Sequence, residues 1–298
     1  MLSTPIALQV GASGLLVPVM ASIVVLAHQY DRLAKRRFFG DSSRNYLLMM
    51  VLDELRRRGH AYRIVHGPDR SAKGDVALLH VDTTVVEPAY LDCAAGFARC
   101  LNGGVGDISK RAISQAVVSP GDGWEGAVIV KSNLNCAGFP EQRVNRRARR
   151  SGARPPFPEA RVTPEYKVYE HSSLAPANAF DDPHLLVERF MPESVDDGFG
   201  MRHWIFCGDY DFCGLFVSKE RLVKGSGIFR SEPAPVPEDL RTLRRKLGFD
   251  YGKFDFVMHG GRSYLVDANR TPGGTPKAGY FPTAAGLADG FESIIRTL

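Results

Sequence analysis

No Cys-x-x-Cys pair occurs in this chain, and its five cysteines, Cys93, Cys100, Cys136, Cys207 and Cys213, are an odd number. That argues against a disulfide framework and for free thiols in a reducing compartment, the cytoplasm. The eight histidines form no His-Glu-x-x-His pattern or other metal spacing. No Gly-x-Ser-x-Gly elbow is present, so the chain offers no signature of a hydrolase serine. Internal repeats are absent as well. A long uninterrupted apolar run is also missing. Leu2 to Tyr30 carries no acidic or basic side chain except His28, but it has no basic leader and is broken by Pro5, Gln9, Gly11, Ser13, Gly14 and Pro18. Residues 1–19 are therefore expected to be a flexible extension, and no membrane partner is expected.

Dispersed basicity is lacking too. The net charge is +5, yet seven arginines (143, 146, 147, 149, 150, 154 and 161) face Glu159 alone over Arg143–Arg161, a local +6 that leaves the rest near −1. Aromatics do not alternate with these arginines, Phe157 being the one aromatic in the stretch, so nucleic acid is disfavoured as a partner. The arginine- and proline-containing stretch up to about Pro164 reads as a mobile loop.

What is present is an ordinary globular composition, 44% hydrophobic and 24% charged, over 298 residues. That length calls for two or three lobes. Ser22–Ala27 is a short apolar run of the kind buried in parallel sheets. A helix follows over Asn45–Arg58, with Leu47, Leu48, Val51, Leu52 and Leu55 on one face and Gly59 as its stop. Tyr62–Val65, Val76–Val81 and Cys100–Asn102 read as further strands, giving a parallel, doubly wound N-terminal lobe. Such a lobe puts ligand-facing loops at strand C-terminal ends, here His28–Asp31 and Asp82–Thr84. Asp107–Arg111 opens a short helix. Gly126–Lys131 and Leu185–Phe190 are strands, His203–Phe206 and Tyr210–Val217 a hairpin around Gly208-Asp209, and Glu238–Leu247 a helix.

Phe254 to Gly273 carries the strongest chemical signal. It reads as two strands joined by a tight turn, with Asp255 on the first and Asp267 and Asn269 on the second. Asp267 and Asn269 share a face because side chains alternate along a strand. A two-residue Gly260-Gly261 loop would put Asp255 on the opposite face, whereas a loop of three, Gly260 to Arg262, pairs Asp255 with Asp267. Two carboxylates and an amide oxygen converging among apolar strands repel one another unless a hard divalent cation sits between them. Upstream, Lys131 ends an apolar strand, where an ammonium calls for an anion such as phosphate. Glu188-Arg189-Phe190 joins a strand to a loop whose extended backbone could meet an adenine edge. Arg202 is placed to grip a phosphate bidentately.

In this order the motifs resemble the ATP-grasp superfamily, over roughly Ile23 to Gly273. Val130-Lys131-Ser132 is similar to its phosphate-binding lysine strand and Leu186 to Phe190 to its adenine hinge. Asp255 and Asp267-x-Asn269, with Thr271-Pro272-Gly273 after them, resemble its metal ligands. Lys110 is similar to the lysine before the lid in the peptide-ligase branch. The chain departs from the pattern in having Asp267 where most members have Glu, a short Lys110–Lys131 interval and a glycine-poor lid.

The resemblance implies an α/β and α+β chain with the ATP-grasp fold, a Rossmann-like lobe and two α+β subdomains enclosing the nucleotide. Its expected divisions are residues 20–105 for the lobe, 106–184 for the central or lid subdomain and 185–298 for the C-terminal subdomain. It implies an ATP-dependent carboxylate–amine ligase acting through an acyl phosphate on small-molecule or peptide substrates. Two Mg²⁺ ions, with Mn²⁺ as a substitute, would sit on Asp255, Asp267 and Asn269. Lys110, Lys131 and the Glu188, Arg189 and Phe190 segment would bind ATP, Arg202 would act on the phosphoryl group, and Arg270 would grip the acceptor carboxylate. The alternatives are a kinase of a small-molecule hydroxyl and an ATP-regulated binding protein for an acidic partner. Nothing in the chain fixes the oligomeric state, and a dimer is compatible with it.

Overall fold

The computed structural model describes residues 20–31, 33, 47–273 and 283–297. The extension expected over residues 1–19 and the first residues of the helix expected from Asn45 lie outside the described residues. Four parallel strands, β1 (Ser22–Ala27), β2 (Ala61–His66), β3 (Val76–His80) and β4 (Cys100–Leu101), form a sheet in the order β2-β1-β3-β4. Helix α1 (Leu47–Arg57) covers one face and α2 (Pro88–Ala95) the other. The alternation of β1 shows how: Ile23, Val25 and Ala27 pack with the leucines of α1, while Val24 and Leu26 pack with Tyr90 and Cys93 of α2.

After α3 (Lys110–Ile113) comes a three-stranded antiparallel sheet of β5 (Val128–Ser132), β6 (Lys167–Tyr169) and β7 (Leu185–Arg189), with α4 (Phe139–Arg150) and α5 (Asn178–Asp181) inserted. Because β7 pairs with β5, the central sheet runs through Arg189, beyond the boundary expected at residue 184. The third sheet is antiparallel and joins β8 (Glu193–Val195), β9 (Gly198–Cys207), β10 (Tyr210–Ser218), β11 (Ile228–Pro233), β12 (Tyr251–His259) and β13 (Arg262–Asn269). Helix α6 (Glu238–Leu247) leads into β12, and α7 (Ala284–Ile295) returns to the first lobe. There Leu287, Phe291 and Ile294 share one core with α1, β1 and with Cys207 and Tyr251 of the large sheet. Arg58 joins the two ends again through Asp289 at 2.6 Å and Glu292 at 3.1 Å.

The expectation of a mobile loop over Arg143–Arg161 is corrected. Its first half is helix α4, started by a proline in its first turn. Glu141, Val144, Asn145 and Ala148 fall at helical spacing and are buried, while Arg146, Arg149 and Arg150 point outward. Half of the buried stripe is polar, which hides it from a search for apolar periodicity. The buried polar groups are met from other parts of the chain, except Glu141 Oε2, which has no hydrogen-bond partner among the described residues. Glu141 Oε1 accepts the Thr84 N–H at 2.6 Å, and the Asn145 amide holds both the N–H and the carbonyl of Phe157. The arginines do not simply repel one another, since Arg143 pairs with Asp82 at 2.8 Å and Arg147 donates to the Tyr30 carbonyl.

Candidate active site

A cavity of about 300 Å³ opens between the central sheet and the large antiparallel sheet, lined by Lys110, Lys131, Glu188, His203, Asp255 and Asp267. Three cation–carboxylate pairs occupy it. Lys131 Nζ lies 2.5 Å from Glu188 Oε2, Lys110 Nζ 3.1 Å from Asp267 Oδ1, and Lys253 Nζ 2.9 Å from Asp255 Oδ1. Lys110 and Lys131 are 2% and 1% exposed, so their ammonium groups depend on these partners and on the carbonyls of Leu134 and Val266, each at 3.0 Å.

Strand geometry brings the groups together. Ile129 pairs with Glu188, and Lys131, two residues on, shares its face, so the lysine is the diagonal neighbour of the carboxylate. Asp255 pairs with both Asp267 and His203, which sets all three on one face of the large sheet. The route to that pairing differs from the one expected. His259 pairs with Arg262, so the turn is the two-residue Gly260-Gly261, with φ of +56° and +77°. A register shift then leaves Val266 unpaired between Leu265 and Asp267. This β-bulge restores Asp267 to the face of Asp255, and the Val266 carbonyl receives Lys131.

Electrostatics hold the cluster charged. Burial alone would raise the Asp255 carboxyl, but Lys253 and His203 outweigh it and keep it below the ordinary range. Burial likewise opposes the charge on Lys253 and Lys110, and Asp255 and Asp267 respectively raise them above the usual lysine value. Burial pulls His203 down.

The chemistry of the donor set fits a hard divalent cation. Asp255 Oδ1 and Asp267 Oδ1 are buried and make no well-formed hydrogen bond, although Lys253 and Lys110 stand at ion-pair distance. Asn269 shares the strand, but its Oδ1 accepts from the Thr271 N–H at 2.8 Å and hydroxyl at 3.1 Å, capping the turn. Among the described residues no group of three or more His, Cys, Asp or Glu is arranged to hold a metal. The donor set therefore consists of two carboxylates and their surroundings.

At the other end of the cavity stand Arg189, Phe190 and Met191. The Arg189 and Phe190 N–H groups already donate to the carbonyls of Ala116 and Ala127, at 2.8 and 2.9 Å. The Met191 N–H has no backbone partner among the described residues, so the free donor lies one residue past the segment the sequence singled out. Arg189 lies over Trp124 and Arg221 over Phe190, framing this end with flat groups.

Two expected residues are not brought to the cavity. Arg202 is held bidentately by Glu193, with contacts of 2.6 to 3.1 Å. It pairs with Phe256, on the sheet face opposite to His203 and Asp255. Arg270 is fully buried, and its guanidinium donates to the carbonyls of Val81, Thr83, Thr84 and Val105. Four of its five N–H donors are taken and the side chain is sealed from the cavity, so its expected gripping role is set aside.

Several site residues escaped the sequence. Lys253 stands two positions before Asp255, on the same face, and strand alternation could have found it. His203 reaches the site only through the β9–β12 pairing, which no local pattern encodes. The Asn135–Gly138 turn beside Lys110 carries three successive left-handed residues, Cys136, Ala137 and Gly138, with φ of 44°, 57° and 83°. Such backbone is costly without glycine and collects at functional sites.

No protein-family model matches the chain, and no curated protein does. Solved structures do. The ATP-grasp ligase PsnB complexed with minimal precursor superposes with a TM-score of 0.52 at 11% identity, over 92% of this chain and 98% of that one. D-cycloserine synthetase DcsG gives 0.51 at 12% identity, over 92% and 99%. The chain has the ATP-grasp fold. Among the described residues no helix is long and apolar enough to cross a membrane.

Proposed function

We propose that the protein is an ATP- and Mg²⁺-dependent carboxylate–amine ligase. The observation that carries this reading is the set of three lysine–carboxylate pairs in one cleft between two sheets, with two carboxylate oxygens left without hydrogen bonds. That arrangement is charge-balanced in itself and suits exchange of partners. Asp255 and Asp267 would hold a divalent cation, and Lys110 and Lys253, their present partners, would then be free to meet phosphate oxygens. The bound cation supplies neutralisation of the charge that builds on the transferring phosphoryl group.

In the proposed reaction a substrate carboxylate oxygen attacks the γ-phosphorus. The bridging P–O bond breaks, and ADP leaves with the electron pair. An amine then attacks the acyl carbon, phosphate departs, and the amine loses a proton. No side-chain nucleophile is needed. Lys110, Lys131 and Lys253 hold charge, Met191 N–H meets the adenine edge, and the Asn135–Gly138 turn lies against the phosphates. The named activities of the two similar structures, a synthetase for a small molecule and a ligase held with a precursor, support substrates of either the small-molecule or the peptide kind.

The test is a screen of amino acids, carboxylates and short peptides for nucleotide turnover dependent on Mg²⁺. Ligation yields ADP and free phosphate in equal amounts with an amide product. ADP without phosphate would make the protein a kinase. Asp267→Asn is expected to lower kcat at least ~100-fold, by analogy with the loss of a transition-state electrostatic group, with the folded circular-dichroism spectrum retained and the melting temperature lowered because buried Lys110 loses its ion-pair partner. Near-normal turnover at saturating Mg²⁺ would remove the metal assignment.

A further inference from the structure

A second cavity, of about 660 Å³, lies on the opposite side of the large sheet from the cleft. Four separate parts of the chain wall it: the end of β4 with Gly103-Gly104, the end of β9 with the Gly208-Asp209 turn, α6 with the Gly248–Asp250 link, and Ile294 of α7. Trp204 lies at its wall, and Trp204 alternates with His203 along β9, so the two cavities use opposite faces of one strand.

Four arginines line this cavity, Arg99 from the first lobe and Arg241, Arg244 and Arg245 from α6, against two aspartates, Asp209 and Asp250. Their existing bonds use only part of what they offer. Arg99 gives one nitrogen to Asp250 at 2.7 Å, Arg241 one to Asp211, and Arg245 one to Glu238 and Thr242, both at 2.8 Å. Arg244 is held by the carbonyls of Gly208, Phe249 and Asp250, each at 3.0 Å. A guanidinium has five N–H donors, so among the described residues every one of these arginines retains unused donors. Arg244 is also stacked 4.0 Å from the Phe206 ring centre, which fixes the plane of its fork before any ligand arrives. Burial pulls Arg244 below the ordinary arginine value, so a nearby anion would relieve it.

We infer that this cavity binds a small phosphate-bearing anion, which braces the edge of the first lobe against α6. The choice of phosphate follows from the donors. Guanidinium forks from two sides match an oxyanion with several oxygens, and the volume leaves room for the group that carries it. A single carboxylate would engage one fork and leave the others unmet. Because Arg99 belongs to one lobe and the α6 arginines to another, occupancy ties together parts of the chain more than a hundred residues apart. The inference does not depend on the reaction proposed for the cleft.

Calorimetric titration of the full chain with inorganic phosphate, pyrophosphate and ribose 5-phosphate tests it. At least one of these is expected to bind with a stoichiometry of one and to weaken as salt is raised. Which of them binds tells free phosphate from an ester. Arg99→Gln and Arg245→Gln alter side chains that are 41% and 64% exposed, so both variants are expected to fold. Each should weaken binding about tenfold or more, as loss of a charge-assisted hydrogen bond does, while Lys131→Met in the cleft should leave it unchanged. A Trp124→Phe variant leaves Trp204 as the sole tryptophan, and its emission should change on titration. No binding at millimolar anion, binding indifferent to both arginine variants, or binding lost in Lys131→Met would overturn the inference.

Discussion

Arg270 carries a charge into a fully buried place where its hydrogen-bond partners among the described residues are backbone carbonyls rather than a carboxylate. Four backbone carbonyls from the loops after β3 and β4 take its donors, and burial pulls its pKa down to about 10 against the upward pull of Asp82, Asp107 and Glu141. Arg270→Met leaves those carbonyls buried and unmet, and at ~1–3 kcal/mol for an orphaned acceptor the loss should reach about 3 kcal/mol or more. Urea unfolding should show it as a lower midpoint, and an unchanged midpoint would mean that water replaces the guanidinium. His80, fully buried in β3, is expected to give the acid limb of stability. Burial pulls it below 6.5, with Asp31 and Asp82 acting against that. Its folded value lies below its unfolded one, so the unfolded chain takes up the proton first. Stability is then complete above about pH 6.5 and falls below it. Between about pH 7.5 and pH 5.5 the Tm of His80→Gln should fall less steeply than that of the natural chain. At this scale the sequence was legible where a charged residue interrupts a mostly apolar strand, as for Lys131 and Asp255. It was illegible where a side chain serves remote backbone. Nothing around Arg270 says that its partners lie more than 160 positions away.

Among the elements, the hairpin of β12 and β13 and the helix α4 failed to declare themselves for opposite reasons. The hairpin announced both its turn and its carboxylates, but a bulge has no sequence mark beyond one surplus residue. The right pairing was therefore reached through the wrong loop length. Helix α4 satisfies its inward face with Glu141 and Asn145, whose partners Thr84 and Phe157 come from elsewhere, so its periodicity is polar and went unread. The turn before α4 gives the sharpest test at this scale. Gly138 has φ of +83°, and a Cβ there would stand 2.3 Å from the Arg161 carbonyl. Gly138→Ala must therefore displace either the turn or the chain that crosses it. It should raise the KM for ATP about tenfold, the size of one misplaced charge-assisted contact, and lower the melting temperature as well, because the new Cβ is strained at this φ and meets backbone. An unaltered KM would place this turn away from the phosphates.

Across the whole molecule the cores are unequal. The first lobe and the large sheet share one continuous apolar cluster through α7, whereas the central sheet rests on a small one built from Val118, Val128, Ala175, Ala179 and Val187. Few buried contacts mean a lower local stability. Hydrogen exchange with ATP and Mg²⁺ should accordingly slow most in β5 to β7 and least in β1 to β3. Uniform protection would show that the central sheet does not close on its own. The doubly wound lobe was readable from its alternating strands and helix, while its union with residues 284–295 was not, because contacts between the two ends of a chain leave no local pattern. That union bears on how the protein is made. On the ribosome the strands of the first lobe emerge long before α7, so until the last few turns are synthesised α1 lacks the cover of Leu287, Phe291 and Ile294. Apolar surface in that interval invites chaperones and premature association. A ribosome stalled before residue 284 would present a lobe that is complete in its strands but unsealed along one helix.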